Sequence, residues 1–224
     1  MNDGGKFPAI QCIAHQCGSI NKACEKYFDT MYDAAHDIAI LKSILYDFVP
    51  FIQSDIVFWQ LSKPGPFLNR YPKLTVAGIL FCVRKLTMVE CEIDCKIQDE
   101  KNKLVERLCD HLSLWHANVE RKALIETLGR LTSWEIYIDE CLEDANDCSQ
   151  HYLEEVYGRV YIQLLLDILD DTKEINDIRI RINKCDDNLY RMFHRGQFIW
   201  EKDLQIAFPP KEQWYLYGRL RTTG

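Results

Sequence analysis

The sequence predicts an all-α fold: an elongated bundle of four to five long helices with an aromatic-rich C-terminal tail packed on it. Three observations carry this. All seven prolines lie at positions 8, 50, 64, 66, 72, 209 and 210, and glycine between 73 and 208 is confined to Gly78, Gly129, Gly158 and Gly196, so helix breakers flank a helix-permissive interior. Apolar residues recur every three or four positions, which is the helix period. No run of strict two-residue alternation competes, since residues 177–183 (DIRIRIN) alternate but their isoleucines also fit the surrounding helical frame.

The first element is the cleanest. Ile20, Cys24, Tyr27, Met31, Ala34, Ile38, Leu41, Leu45 and Phe48 step by fours and threes, an a/d seam over four heptads. Ser19 supplies an N-cap hydroxyl and Pro50 follows the last member, so a helix is expected from Ser19 to about Phe48, about 45 Å long. Residues 50–72 read as a short apolar helix and a turn-rich crossover through Lys63-Pro-Gly-Pro. Val76, Ile79, Val83, Leu86, Ile93 and Ile97 continue as a helix from about Lys73, and the polar run Gln98 to Lys103 suggests a turn.

Leu104, Leu108, Leu112, Trp115, Val119, Ala123, Thr127, Leu131, Trp134, Ile138 and Leu142 hold nearly one phase to Ala145, as one helix or as two broken near Trp115. After a turn or cap at Asn146 to Ser149, Leu153, Val156, Val160, Leu164 and Ile168 with Tyr157, Tyr161 and Leu165 form a wide apolar stripe, the mark of a central helix. Ile175, Ile178, Ile182, Cys185, Leu189 and Met192 make a last helix, ending at His194, Arg195 and Gly196. Residues 1–18 are thus an N-terminal arm, 19–196 the helical bundle and 197–224 a tail, docked through Trp200 and Trp214.

With 27 Lys and Arg against 34 Asp and Glu, the net charge of −7 has the wrong sign for a dedicated nucleic-acid binder. The longest apolar stretch, Leu74 to Val83, is about half the length a membrane span needs, so no membrane partner is expected. Residues 1–20 lack a basic segment followed by an apolar run, which points to a reducing, cytoplasmic setting. The ten cysteines then read as free thiols, and Cys24, Cys82, Cys109, Cys141 and Cys185 sit at apolar positions of helical patterns.

Six groups of residues bear on chemistry. Cys12, His15, Cys17 and Cys24 offer four soft ligands to zinc, but they lack a Cys-x-x-Cys knuckle and Cys24 lies on the first seam. Cys91 with Cys95, and His116 with Glu120, each share one helix face and could edge a metal site; no histidine has a Glu three residues before it, as a di-iron bundle requires. Trp115 and Trp134 fit core positions, and Arg179, Arg181, Lys184, Arg191, Arg219 and Arg221 offer a basic face. Finally, Asp139-Glu140-x-x-Glu143 and Asp167-x-x-Asp170 place carboxylates three apart near two successive helix ends.

That last pattern resembles the Glu-Glu-x-x-Glu and Glu-x-x-Asp segments of the all-α nucleoside triphosphate pyrophosphatases, over about a seventh of the chain, with Asp167 standing where the family has Glu. The resemblance implies Mg²⁺ held by Glu140, Glu143, Asp167 and Asp170 for phosphoanhydride hydrolysis. The commoner reading of such residues is a solvated acidic helix end. Neither a phosphate-cradling loop nor a nucleophile motif is present. The sequence therefore favours a non-enzymatic interaction or scaffold protein without a cofactor, a subunit of a larger assembly that meets a protein partner or a second copy through its helical seams.

Overall fold

The structure, a computed structural model, describes residues 34–62, 73–89 and 95–221. Among them are six α-helices and one small β-hairpin. They group into two compact units, divided between Ala123 and Leu124 inside one helix.

In the first unit, α1 (Ala34–Gln53) carries the second half of the expected seam, with Ile38, Leu41, Leu45 and Phe48 buried. The part expected from Ser19 to Asp33 lies outside the described residues. Pro50 does not end this helix. It stands exposed in the last turn, and the wholly buried Phe51 and Ile52 carry the helix past it, their burial outweighing the hydrogen bond that proline cannot give. Trp59 then pairs with Leu74 through two backbone hydrogen bonds of 3.0 and 2.8 Å. The Thr75 hydroxyl accepts from the Gly78 amide at 3.0 Å and starts α2 (Val76–Met88), three residues later than the periodicity suggested.

The pattern expected to run through Ile93 and Ile97 is divided, because α2 ends at Met88 and α3 (Cys95–Leu114) begins at Cys95. The polar run Gln98 to Lys103 is helix rather than turn. It contains no glycine or proline, and the Gln98 amide donates to Asn102 one turn on, at 3.2 Å. At Trp115 the chain does break, and α4 (His116–Glu143) follows. The Trp115 amide still donates to the His111 carbonyl and its own carbonyl accepts from Val119, both at 3.0 Å, so the break is local. Leu41, Phe48, Phe51, Ile79, Leu86, Leu108, Leu112 and Val119 make the core of this unit.

The second unit holds the rest of α4, then α5 (Ala145–Leu166) and α6 (Lys173–Arg191). Asp144 alone separates α4 from α5, its carboxylate accepting from the Asn146 and Asp147 amides at 3.0 and 3.2 Å. The helix thus starts before the Asn146 to Ser149 cluster, not after it. On α6, Ile175, Ile178, Ile182, Cys185 and Leu189 are the buried residues, the expected stripe, and Thr172 caps its start.

The C-terminal region departs from an all-α fold. Phe193 to Phe198 form β1, antiparallel to β2 (Tyr217–Leu220), with Phe193 opposite Leu220 and His194 opposite Arg219. The residues expected to close the last helix, His194, Arg195 and Gly196, are strand, because α6 stops at Arg191. Gly218 permits the pairing. It holds a φ of 149°, and a Cβ there would run into the His194 carbonyl and lie 2.7 Å from the Phe193 ring.

The tail carries aromatic clusters against α5. Trp200 stacks on Tyr157 with ring centroids 4.3 Å apart, and the Tyr152 hydroxyl donates to the Tyr215 carbonyl at 2.6 Å. Trp214 meets the Phe193 ring edge-on at 5.3 Å. Among the described residues no helix is long and apolar enough to cross a membrane.

Candidate functional site

Glu140 and Glu143 stand exposed in the last turn of α4, and Asp167 is the exposed C-cap of α5. Asp170 lies exposed in the segment before α6. The two halves of the acidic pattern therefore flank α5 from opposite ends, and its 22 residues put about 33 Å between them. A shared Mg²⁺ needs carboxylate oxygens within about 2.1 Å of one ion, or joined through its waters, so the chain does not bring these four residues together. Asp167 accepts from the Gln163 amide at 2.9 Å, and Asp144, next to Glu143, is occupied in capping α5.

Cys12, His15, Cys17 and Cys24 lie outside the described residues, as does Cys91. His116 is exposed at the first position of α4, with Glu120 half-buried one turn on. Trp134 is core, stacked on Tyr137 at 5.5 Å, and Trp115 is half-buried at the break. Among the described residues no group of three or more His, Cys, Asp and Glu side chains is placed to hold a metal ion. The basic face is partly spent within the fold, because Arg181 makes a two-pronged pair with Glu135 at 2.8 and 2.6 Å and Arg179 reaches Asp171 at 3.3 Å.

The polar groups that the sequence did not single out are buried ones. Arg159, about 5% exposed, gives two parallel hydrogen bonds to Asp186 at 2.9 and 2.8 Å and lies 4.7 Å over the Tyr215 ring. Burial works against its charge, but Tyr215 and Asp186 outweigh it and hold the guanidinium above its usual pKa. In the first unit Asp37 is paired with Lys85 at 2.7 Å, and the Lys122 ammonium donates to the Ile56 carbonyl at 2.6 Å while lying 4.4 Å from the Phe51 ring centroid. One signal marks all three: a charged residue inside an apolar stripe, Asp37 beside Ala34 and Ile38, Lys122 beside Val119, Arg159 beside Val156 and Val160.

Cys141 and Cys148 meet across the α4–α5 corner beneath Tyr137, whose hydroxyl donates to the Cys148 carbonyl at 2.8 Å. Burial pushes the Cys141 thiol and the Tyr137 phenol well up, and the Cys82 thiol likewise. Cys185 is pushed up to about 11 by burial and by the neighbouring Glu135 and Asp186 carboxylates. These thiols therefore keep their protons at neutral pH, where the thiolate would be the nucleophile.

The surface of α4 in the second unit is different. Ile125, Gly129, Thr132 and Ile136 step by four, three and four, so they share one helix face, and all four are exposed. Ile125 is 46% and Ile136 54% exposed, and no atom lies within 4 Å of the place a Cβ on Gly129 would take. The chain matches no protein-family model, no curated protein and no solved structure, so the geometry alone carries the functional reading.

Proposed function

We propose that the chain acts by binding protein rather than by catalysis, as a helical interaction or scaffold subunit of a larger assembly. One observation carries this reading: the exposed Ile125, Gly129, Thr132, Ile136 face of α4, about 16 Å long, with two large apolar side chains and a glycine that lets a second helix approach closely between them. The partner is another protein or a second copy of the chain, bound helix to helix. A reducing, cytoplasmic setting without nucleic acid, membrane or cofactor accords with this, supported by the net charge of −7 and by the free thiols Cys82, Cys109, Cys141, Cys148 and Cys185.

The test pairs the wild-type chain with the variant Ile125→Glu/Ile136→Glu. Sedimentation and affinity purification should show an assembly for the wild type that the variant loses while its far-ultraviolet circular dichroism is unchanged. Identical sedimentation and identical co-purifying proteins would refute the reading. So would Mg²⁺-dependent release of pyrophosphate from nucleoside triphosphates that Glu143→Gln abolishes, the signature of the hydrolase that Glu140, Glu143, Asp167 and Asp170 would form across two copies.

A further inference from the structure

We propose that the end of α6 and the β1–β2 hairpin form an arginine surface that binds an acidic, extended segment of a partner protein, a refinement that rests on the protein-binding role above. Residues 194–197 of β1 are all exposed, and His194 stands opposite Arg219 on β2, so their side chains project on the same side of the ladder. Arg221 donates from its amide to the Met192 carbonyl at 2.7 Å and from its Nε to the Phe193 carbonyl at 3.1 Å, which ties it to the two residues that follow the exposed Arg191 at the end of α6. Arg195, the next residue along β1, projects on the other side of the ladder, its guanidinium 5.5 Å over the ring of Tyr190 and donating to that hydroxyl at 3.3 Å.

Four arginines and a histidine thus lie on or beside the hairpin and at the end of α6, on a chain whose net charge is −7. Among the described residues Arg191, His194 and Arg219 have no ion-pair partner, unlike Arg159 on α5 and Arg179 and Arg181 earlier on α6. Every fixed cation in the group is arginine, whose planar fork takes carboxylates in pairs. Tyr190, 54% exposed and braced edge-on by Trp214 at 5.6 Å, adds a rigid aromatic anchor of the kind that dominates protein interfaces. Charge complementarity selects an acidic occupant. The acidic net charge favours a short protein segment over nucleic acid, because a long polyanion would meet the repulsive remainder of the surface. An extended conformation follows from β1, the exposed strand of a two-stranded sheet, which can pair its backbone with one more strand.

The experiment uses the full chain and a fluorescein-labelled peptide of alternating Glu and Thr, read by anisotropy. Saturable binding is expected, weakened about tenfold or more by Arg191→Gln/Arg219→Gln and by raising the salt, and about tenfold weaker for the matching Gln and Thr peptide. Both substituted residues are exposed, and circular dichroism checks that the variant is folded. Absence of binding, equal binding of the Gln peptide, or an unchanged affinity in the variant would overturn the proposal. Tighter binding of a single-stranded oligonucleotide at the same salt would overturn it in favour of nucleic acid. The Ile125→Glu/Ile136→Glu variant should bind the peptide as the wild type does, so failure of the α4 face and failure of the arginine surface are read separately.

Discussion

Removing Asp186 tests the buried pair that ties α6 to α5. In Asp186→Ala the Arg159 guanidinium stays behind, about 5% exposed, stripped of two hydrogen bonds of 2.9 and 2.8 Å. Its Nη1 has no hydrogen-bond partner even in the intact pair, so nothing nearby takes over the charge. Two charge-assisted bonds at about 1.5–3 kcal/mol each amount to about 3–6 kcal/mol, in line with the roughly 3–5 kcal/mol for breaking a buried pair from one side. Because the Asp186 side chain is 18% exposed, water can reach the orphaned guanidinium, which places the expected loss near the lower end, about 3 kcal/mol. The double variant Arg159→Met/Asp186→Ala removes the charge as well and fills the space over Tyr215, so it should lose no more than about 1–2 kcal/mol and be more stable than Asp186→Ala alone. Urea unfolding of the wild type, both single variants and the double variant gives the cycle. A cost below about 1 kcal/mol for Asp186→Ala, or a double variant less stable than that single one, would refute the argument.

The hairpin and the buried acids offer two further tests. Gly218→Ala puts a Cβ into the His194 carbonyl at a φ of 149°, and should lower stability by about 2 kcal/mol or more and increase hydrogen exchange at the β1 and β2 amides; wild-type protection would show that the strands do not depend on this glycine. In alkali, Cys185, raised from 9.0 to about 11, and Tyr157, raised from 10.0 to about 12 by burial and by Glu201, keep their protons in the folded chain after the unfolded chain has released them. Their contribution is complete below about pH 9 and is lost between about pH 9 and 12, so the urea midpoint should fall across that range. Cys185→Ser should reduce the slope between pH 9 and 11, and an unchanged slope would contradict the assignment.

The helices were legible where burial is a local matter. The stripe Ile175, Ile178, Ile182, Cys185, Leu189 can be read from spacing because one amphipathic face repeats with the helix period, and the same holds for Ile38, Leu41, Leu45 and Phe48. Helix ends were read less well. A proline after the seam reads as a stop, yet Phe51 and Ile52 lose all their exposed surface by continuing the helix, which a rule about proline alone does not weigh. The polarity of the run Gln98 to Lys103 suggests a turn, but polarity marks the exposed side of a helix as readily as a loop.

The acidic residues show the same division at the candidate site. Their position at helix ends was in the sequence, as was the distance one helix would impose, but the single-residue corner at Asp144 is what sets Glu143 and Asp167 at the two ends of α5. The α4 face could have been read from the spacing of Ile125, Gly129, Thr132 and Ile136, had their phase been set against that of the buried Leu131 and Ile138.

The sequence by itself determined the helical character of this chain and the inner faces of α1 and α6, because periodicity, capping and breaker residues act within a few positions of one another. Only the tertiary structure decided that the last residues pair as strands and that Arg219 and Arg221 are brought back beside His194 and Phe193. Strand pairing joins residues remote in the chain: β1 shows no alternation of its own, and its partner is fixed by the fit of Gly218 against His194 and Phe193, a steric condition that exists only once both segments are in place.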